Sequence, residues 1–178
     1  MFNKVFMVLL LVSVMGQSQA RTGHKYVLEL GEAVHSEKVP AASSLVMLDD
    51  AVFAVSDMSP FLYKLDQNFN VDSLTTIKQF PADSLKENGT LDSNVKPDYE
   101  SMTLLPYGDA KAFLILGSGS KPMVREWGYL VTQDHSTIIE RSLSALYSQL
   151  HKAGNFTEKQ EFNIEGLTVA KERAYILN

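Results

Sequence analysis

Residues 43–55 read SSLVMLDDAVFAV, and this stretch decides the fold. Apolar residues fill positions 45–48 and 51–55, on either side of the pair Asp49-Asp50. Short apolar runs flanking a two-residue polar turn are typical of a β-hairpin. Two more strands are predicted at 61–65 and 74–80, each after turn residues. Four consecutive strands with short connections predict an antiparallel meander.

The same pattern occurs again further along the chain. Strands are predicted at 101–105, 112–116, 126–132 and 136–141, and a third set begins with 167–169 and 174–177. The three sets align at Ser43, Glu100 and Glu165, with offsets of 57 and 65 residues. A repeated four-strand meander predicts the blades of a β-propeller, here two blades and the first hairpin of a third. The alternative is a β-sandwich made of unrelated hairpins.

Two segments depart from the strand pattern. Residues 82–98 are polar and predict a long connection between strands. Residues 142–154 predict a helix, with Ser142 as its N-cap and Gly154 at its C-terminal end. The apolar residues of this helix are spaced i, i+3, i+4 and i+7 and share one face: Leu143, Leu146, Tyr147 and Leu150. We expect this face to pack on the edges of the blades.

The N-terminus predicts export. Lys4 precedes an apolar run at 5–15, and small residues follow at Ser18 and Ala20, as in a secretory signal peptide. The run is shorter than the roughly 20 apolar residues that span a bilayer. We therefore predict a signal peptide at 1–20 and a partial propeller domain at 21–178, located in the periplasm or outside the cell. The alternative is an uncleaved N-terminal anchor. No later segment is apolar enough to span a membrane.

Composition excludes several classes of function. The chain has no cysteine, which excludes disulfides, a thiol nucleophile and a Cys-ligated metal. The net charge of −5 becomes −6 without the signal peptide, because Lys4 is lost and no acid is lost. An acidic chain argues against nucleic acid as the main partner. The histidines, at positions 24, 35, 135 and 151, lack metal-ligand spacing and are predicted to lie on the surface.

Acidic and amide side chains recur at the start of two repeats. Asp98 and Glu100 occupy the same places in the second repeat as Asn163 and Glu165 in the third. One strand end of every propeller blade faces the central channel, so these side chains would converge there. Carboxylate and amide oxygens suit Ca²⁺. The alternative is that Glu100 and Glu165 accept backbone hydrogen bonds that hold one blade to the next.

A second cluster follows the predicted strand at 112–116. Residues 117–122 read GSGSKP, and Arg125 comes shortly after. The backbone N–H groups and hydroxyls of Ser118 and Ser120, with the charges of Lys121 and Arg125, would suit an anion such as phosphate. The alternative is a tight connection between strands without a ligand.

These motifs together resemble a known group of proteins. Four segments carry the resemblance: the hairpin from Ser43 that ends at Ser56-Asp57, the segment 96–100 (KPDYE), the GSGSKP segment and the segment 163–166 (NIEG). Together they resemble the exported bacterial phytase-like, or esterase-like, propellers. The chain is still more similar to a related family of unknown function. The resemblance implies a closed propeller that continues beyond Asn178, so that this chain lacks blades. By more distant analogy it implies metal-assisted phosphoester chemistry.

Three functional hypotheses result. The first is Ca²⁺-dependent hydrolysis or binding of a phosphoester or similar small anionic ligand. The second is a non-catalytic propeller that binds a ligand or protein at the same channel mouth, and the third is an inactive fragment. The predicted metal ligands are Asp57, Asp98, Glu100, Asn163 and Glu165. The predicted anion-binding residues are Lys96, Ser118, Ser120, Lys121 and Arg125.

Overall fold

A computed structural model describes residues 36, 38–157, 160 and 162–178 of the chain, and the predicted signal peptide lies outside them. The regular secondary structure of the unit Lys38–Asn178 is mostly antiparallel strand. The first sheet has four strands in chain order: β1 (Ala42–Leu48), β2 (Ala51–Ser56), β3 (Phe61–Leu65) and β4 (Val71–Thr76). This confirms the predicted first meander.

The second sheet repeats this arrangement, and a third sheet begins it again. The second sheet contains β5 (Tyr99–Tyr107), β6 (Ala110–Gly117), β7 (Trp127–Thr132) and β8 (Ile138–Ser142). The third sheet contains β9 (Gly166–Ala170) and β10 (Arg173–Leu177). Strand β5 lies against both β1 and β9, so the first strands of the three sheets are neighbours. Within the described residues the sheets do not close into a ring.

The first two sheets begin with the same backbone irregularity. The pairing register shifts at Ser43 between β1 and β2, and at Glu100 between β5 and β6. Two residues earlier, Ala41 and Asp98 both have positive φ, at 43° and 58°. A β-bulge leaves one residue unpaired and redirects its side chain. The two repeats therefore present Ser43 and Glu100 in equivalent ways.

Strand β4 begins three residues earlier than the sequence predicts and ends at Thr76 rather than at 80. The Asp66 carboxylate accepts the N–H groups of Asn68 and Asn70, at 2.8 Å each, and closes the turn. Pairing with β3 therefore resumes at Val71. After Thr76 the chain leaves the sheet.

One α-helix, α1 (Ser144–Ala153), lies between the second and third sheets in sequence. The predicted N-cap, Ser142, is wrong because this residue is paired with Trp127 at the end of β8. Leu143 precedes the helix without a side-chain cap, and Gly154 follows its last residue as predicted. No helix in the described part of the chain has the length and apolar character that a bilayer crossing requires.

The main core lies between the first and second sheets. Phe53 of β2 and Phe113 of β6 are in contact, with ring centroids 4.7 Å apart. Each large side chain buried in this way contributes about 1.5–3 kcal/mol to folding. A smaller cluster contains Tyr147 of α1, Phe162 and Ile164. The helix therefore packs on the segment that precedes β9 and beside the end of β6, and not on sheet edges alone.

Candidate acidic site at the start of the second sheet

Three carboxylates meet where the second sheet begins. Asp57 follows β2 directly, and Asp98 and Glu100 flank Tyr99, the first residue of β5. Each of the three offers a carboxylate oxygen within 4.8 Å of the others. Because β1 and β5 are neighbours, side chains 41 or more residues apart in sequence come together at this point.

Asp98 is the most buried of the three, and its side chain is 4% exposed. Its Oδ2 accepts hydrogen bonds from the hydroxyls of Ser118, at 2.5 Å, and Ser120, at 3.2 Å. Arg125 Nη1 lies 3.0 Å from the same oxygen, and Lys96 Nζ lies 2.5 Å from Oδ1. A buried carboxylate is stable only when it is paired and hydrogen-bonded. Asp98 therefore holds the surrounding loops together.

Lys96 lies between two of the carboxylates. Its Nζ is 2.6 Å from Asp57 Oδ2 and 2.5 Å from Asp98 Oδ1, and its side chain is 14% exposed. Burial by itself lowers the pKa of Lys96, but the hydrogen bonds and charges of Asp57 and Asp98 outweigh it and raise the pKa. Lys96 therefore stays protonated and supplies a cation to the cluster.

Glu100 is the unusual acid of the site. Burial, followed by the negative charges of Asp98 and Asp57, raises its pKa to about 7. The nearby Ser43 hydroxyl acts in the opposite direction, and Glu165 adds a smaller repulsion. Ser43 is not among the predicted site residues. The alignment of Ser43 with Glu100 at an offset of 57 residues carries the signal that could have found it.

Asp57 has one oxygen without a partner. Its Oδ2 binds Lys96, but its buried Oδ1 has no hydrogen-bond partner among the described residues. An unpaired buried carboxylate oxygen is costly in a folded protein. It is the one acceptor of Asp57 still available to a further cation.

The predicted anion-binding residues belong to the same network as the carboxylates. Ser118 and Ser120 bind Asp98, and Arg125 Nη1 also donates to Ser120 Oγ at 2.8 Å. Arg125 Nη2 donates to the Ser93 carbonyl and Lys121 Nζ to the Asn94 carbonyl, both at 3.1 Å. These cations hold the connection 82–98 and contact protein acceptors.

Two glycines shape the loop that carries Ser118. A Cβ at Gly117 would lie 2.4 Å from the Arg125 carbonyl oxygen. Gly119 has a φ of +78°, and a Cβ there would lie 2.3 Å from the ring of Tyr147. The Tyr147 hydroxyl also donates to the Gly117 carbonyl at 2.6 Å. Helix α1 thus holds in place the loop that carries Ser118 and Ser120, whose hydroxyls donate to Asp98.

The third repeat reaches the edge of the site. Asn163 Nδ2 donates to Glu165 Oε1, and the Asn163 N–H donates to Asn178 Oδ1 at 2.7 Å. The Ile164 N–H donates to the Ser118 carbonyl at 2.8 Å, which joins this repeat to the second. Glu165 is outside the group of carboxylates that lie within 4.8 Å of one another. Glu165 is exposed, and its charge still acts on Glu100.

The sequence predicts surface positions for the histidines, but the two within the described residues are half-buried. His135 is half-buried against Phe53 and Phe113, with ring centroids 5.9 and 6.1 Å away. His151 is half-buried against Phe162, with centroids 4.5 Å apart. His24 and His35 lie outside the described residues.

The fold and site define a mostly β protein of antiparallel four-stranded sheets with an acidic cluster between the first two sheets. The model of a family of unknown function (DUF6929) matches residues 38–178, and the chain belongs to this family. No curated protein and no solved structure shows significant similarity to the chain.

Proposed function

We propose that the protein binds a divalent cation, with Ca²⁺ as the first candidate, at the cluster of Asp57, Asp98 and Glu100. The bound cation then recruits a phosphoester or a similar small anionic ligand. The observation that carries this proposal is the approach of three carboxylates within 4.8 Å of one another. Calcium takes oxygen ligands, and carboxylates are its commonest anionic ones.

The charge balance of the cluster supports a cation rather than a free anion. Lys96 and Arg125 both pair with Asp98, and Lys96 also pairs with Asp57. The anionic ligand would therefore bind through the cation and not through these side chains. A divalent ion would most stabilise two groups: the buried Oδ1 of Asp57, and the carboxylate of Glu100, which the charges of Asp98 and Asp57 repel.

The proposed scaffold is an exported β-propeller. Its support is the pair of four-stranded meanders, the shared bulges at Ser43 and Glu100, and the contact of β5 with β1 and β9. In a propeller these first strands line the central channel, and the acidic cluster would lie at its mouth. Export rests on the sequence of residues 1–20, and the full ring would need further blades.

Hydrolysis of the bound ligand is the second candidate function. It is favoured by the three converging carboxylates, because a divalent cation held by them would act as a Lewis acid on a bound phosphoester. In this reaction the cation would polarise the phosphoryl oxygen and lower the pKa of a bound water, which would attack phosphorus as the alcohol leaves. The alternative is a non-catalytic protein that binds the same ligand without turnover.

Thermal unfolding tests the cation site. A ligand at about 100 times its Kd adds about 2.7 kcal/mol to stability, which corresponds to a rise in Tm of roughly 5–10 °C. We expect Ca²⁺ to raise the Tm of the chelator-treated protein by this amount, and Asp57→Asn or Glu100→Gln to abolish the rise. Asp83→Asn, at an exposed position of the connection, is the control. A wild-type Tm that excess Ca²⁺ leaves unchanged would contradict the proposal.

A phosphoester assay separates hydrolysis from binding. Wild-type protein with Ca²⁺ is expected to release phosphate from small phosphoesters, and Glu100→Gln to lose at least about a hundredfold in rate. If the substrates stay intact while Ca²⁺ still raises the Tm, the protein binds without catalysis.

A further inference from the structure

The ammonium group of Lys96 occupies the space between two of the carboxylates that would hold a divalent cation. Its nitrogen is 2.6 Å from Asp57 Oδ2 and 2.5 Å from Asp98 Oδ1. Calcium binds carboxylate oxygens at about 2.3–2.6 Å. A calcium ion and the Lys96 nitrogen would therefore contact the same two oxygens at the same distance, and both cannot be in place.

The remaining oxygens do not offer a full set of ligands while Lys96 stays. Asp98 Oδ2 is already bound by Ser118, Ser120 and Arg125. Asp57 Oδ1 and the carboxylate of Glu100 remain, and calcium takes about six to eight oxygens. An ion held by these two groups would also be repelled by the adjacent ammonium charge.

We propose that Lys96 is an internal competitor for the divalent cation. In the cation-free protein its ammonium neutralises Asp57 and Asp98, and cation binding displaces the side chain into solvent. This inference rests on the cation site of the proposed function. Lysine suits the role because its compact charge sits on a flexible four-carbon stem. The competition lowers the affinity of the site, so that the site fills only when the free cation concentration is high.

Calcium titration of charge variants tests the competition. Isothermal titration calorimetry would compare the full chain with Lys96→Gln, and with Lys64→Gln as the matched control. Lys64 forms a similar pair with Asp72, at 2.9 Å, but on the exposed surface of the first sheet. We expect Lys96→Gln to bind Ca²⁺ at least about tenfold more tightly than wild type, and Lys64→Gln to bind as wild type does.

The outcomes separate this inference from the proposed function. Binding by Lys96→Gln alone, or much tighter binding by it, supports the competition. Equal affinities of wild type and Lys96→Gln would overturn the competitor role and leave the cation site standing. If neither protein binds at about 10 mM Ca²⁺, both proposals are wrong.

Chemical labelling of the wild-type protein gives a second measurement that needs no variant. The Lys96 side chain is 14% exposed and paired, so we expect it to react slowly with an amine-acylating reagent. Added Ca²⁺ is expected to speed acylation of Lys96 severalfold, as measured by peptide mass spectrometry, and to leave Lys64 unchanged. Unchanged labelling of Lys96 at a Ca²⁺ concentration that raises the Tm would overturn the inference.

Discussion

Glu100 has its unusual acidity because of where the bulge places it. The bulge turns its side chain toward Asp57 and Asp98, whose charges add to the effect of burial. Its pKa in the folded protein is about 7, against 4.5 for an ordinary glutamate. The folded state therefore holds this proton more tightly than the unfolded state does.

This difference makes stability fall as the pH rises. Below about pH 4.5 the proton is bound in both states, and the contribution of Glu100 is fully present. Between pH 4.5 and 7 the unfolded state ionises first, so this contribution is lost and stays lost at higher pH. Partial exposure screens the effect, so we expect a loss of about 1–2 kcal/mol from this group.

The Glu100→Gln variant measures this contribution. In chelator-treated samples it is expected to be more stable than wild type at about pH 8 by that amount, and the difference should shrink toward about pH 5. Glu87→Gln, at an exposed position, should show no such trend. Urea unfolding at both pH values gives the free energies. A difference between wild type and Glu100→Gln that does not change with pH would contradict the raised pKa.

At the scale of elements, helix α1 supports the site through one loop. Tyr147 packs against Gly119, and Gly119 adopts the left-handed backbone conformation. The loop between β6 and β7 therefore keeps the conformation in which Ser118 and Ser120 meet Asp98.

We expect Gly119→Ala to disturb the packing of this loop against helix α1. A Cβ there would lie 2.3 Å from the Tyr147 ring at a positive φ, so we expect a loss of roughly 2–4 kcal/mol. Gly108→Ala is the matched control, because Gly108 also has positive φ and no atom lies within 4 Å of the place that its methyl group would take. The control should lose only about 1–2 kcal/mol. Equal losses in the two variants, measured by urea unfolding, would show that the contact with Tyr147 contributes nothing.

The elements are predictable where local sequence determines them. The hairpin at 43–55 follows from apolar runs around Asp49-Asp50, and the face of α1 follows from its spacing. The prediction for Ser142 is wrong because its pairing with Trp127 is a long-range contact that sequence spacing does not carry.

The sequence predicts which residues belong to the candidate site better than it predicts how they are arranged. Asp57, Asp98 and Glu100 are expected near one another and are found together. Lys96 is expected to bind an anionic ligand. In the structure it lies between two carboxylates, because folding brings Asp57, 39 residues earlier in the sequence, next to it. Which charges pair depends on how the two sheets meet, and no local pattern encodes that.

At the scale of the whole molecule, the third sheet differs from the other two. It has two strands in the described residues, and no third strand pairs there with the outer edge of β10. Tyr175 and Leu177 on β10 are 52% and 68% exposed. An exposed strand edge with apolar side chains is a template for pairing with another chain.

We therefore expect the 178-residue chain to associate through β10 as its concentration rises. Tyr175→Lys should reduce the association, because a charged residue on an edge strand opposes pairing. Tyr107→Lys is the control, since Tyr107 is also exposed but lies at the end of the paired strand β5. Sedimentation velocity over a range of concentrations measures the effect. A wild-type chain that stays monomeric throughout would contradict it.

The contacts of the connection at 82–98 determine how readily this segment detaches from the sheets. Leu91 in its middle is buried and donates its N–H to the Met58 carbonyl, and Lys121 and Arg125 hold the carbonyls of Asn94 and Ser93. A protease cannot cut the part of this segment from Leu91 to Lys96 while it is bound in this way. Nicking between Leu91 and Lys96 would instead require the segment to detach, and its detachment would also separate Lys96 from Asp57. The rate of cleavage there thus reports how often the acidic cluster comes apart.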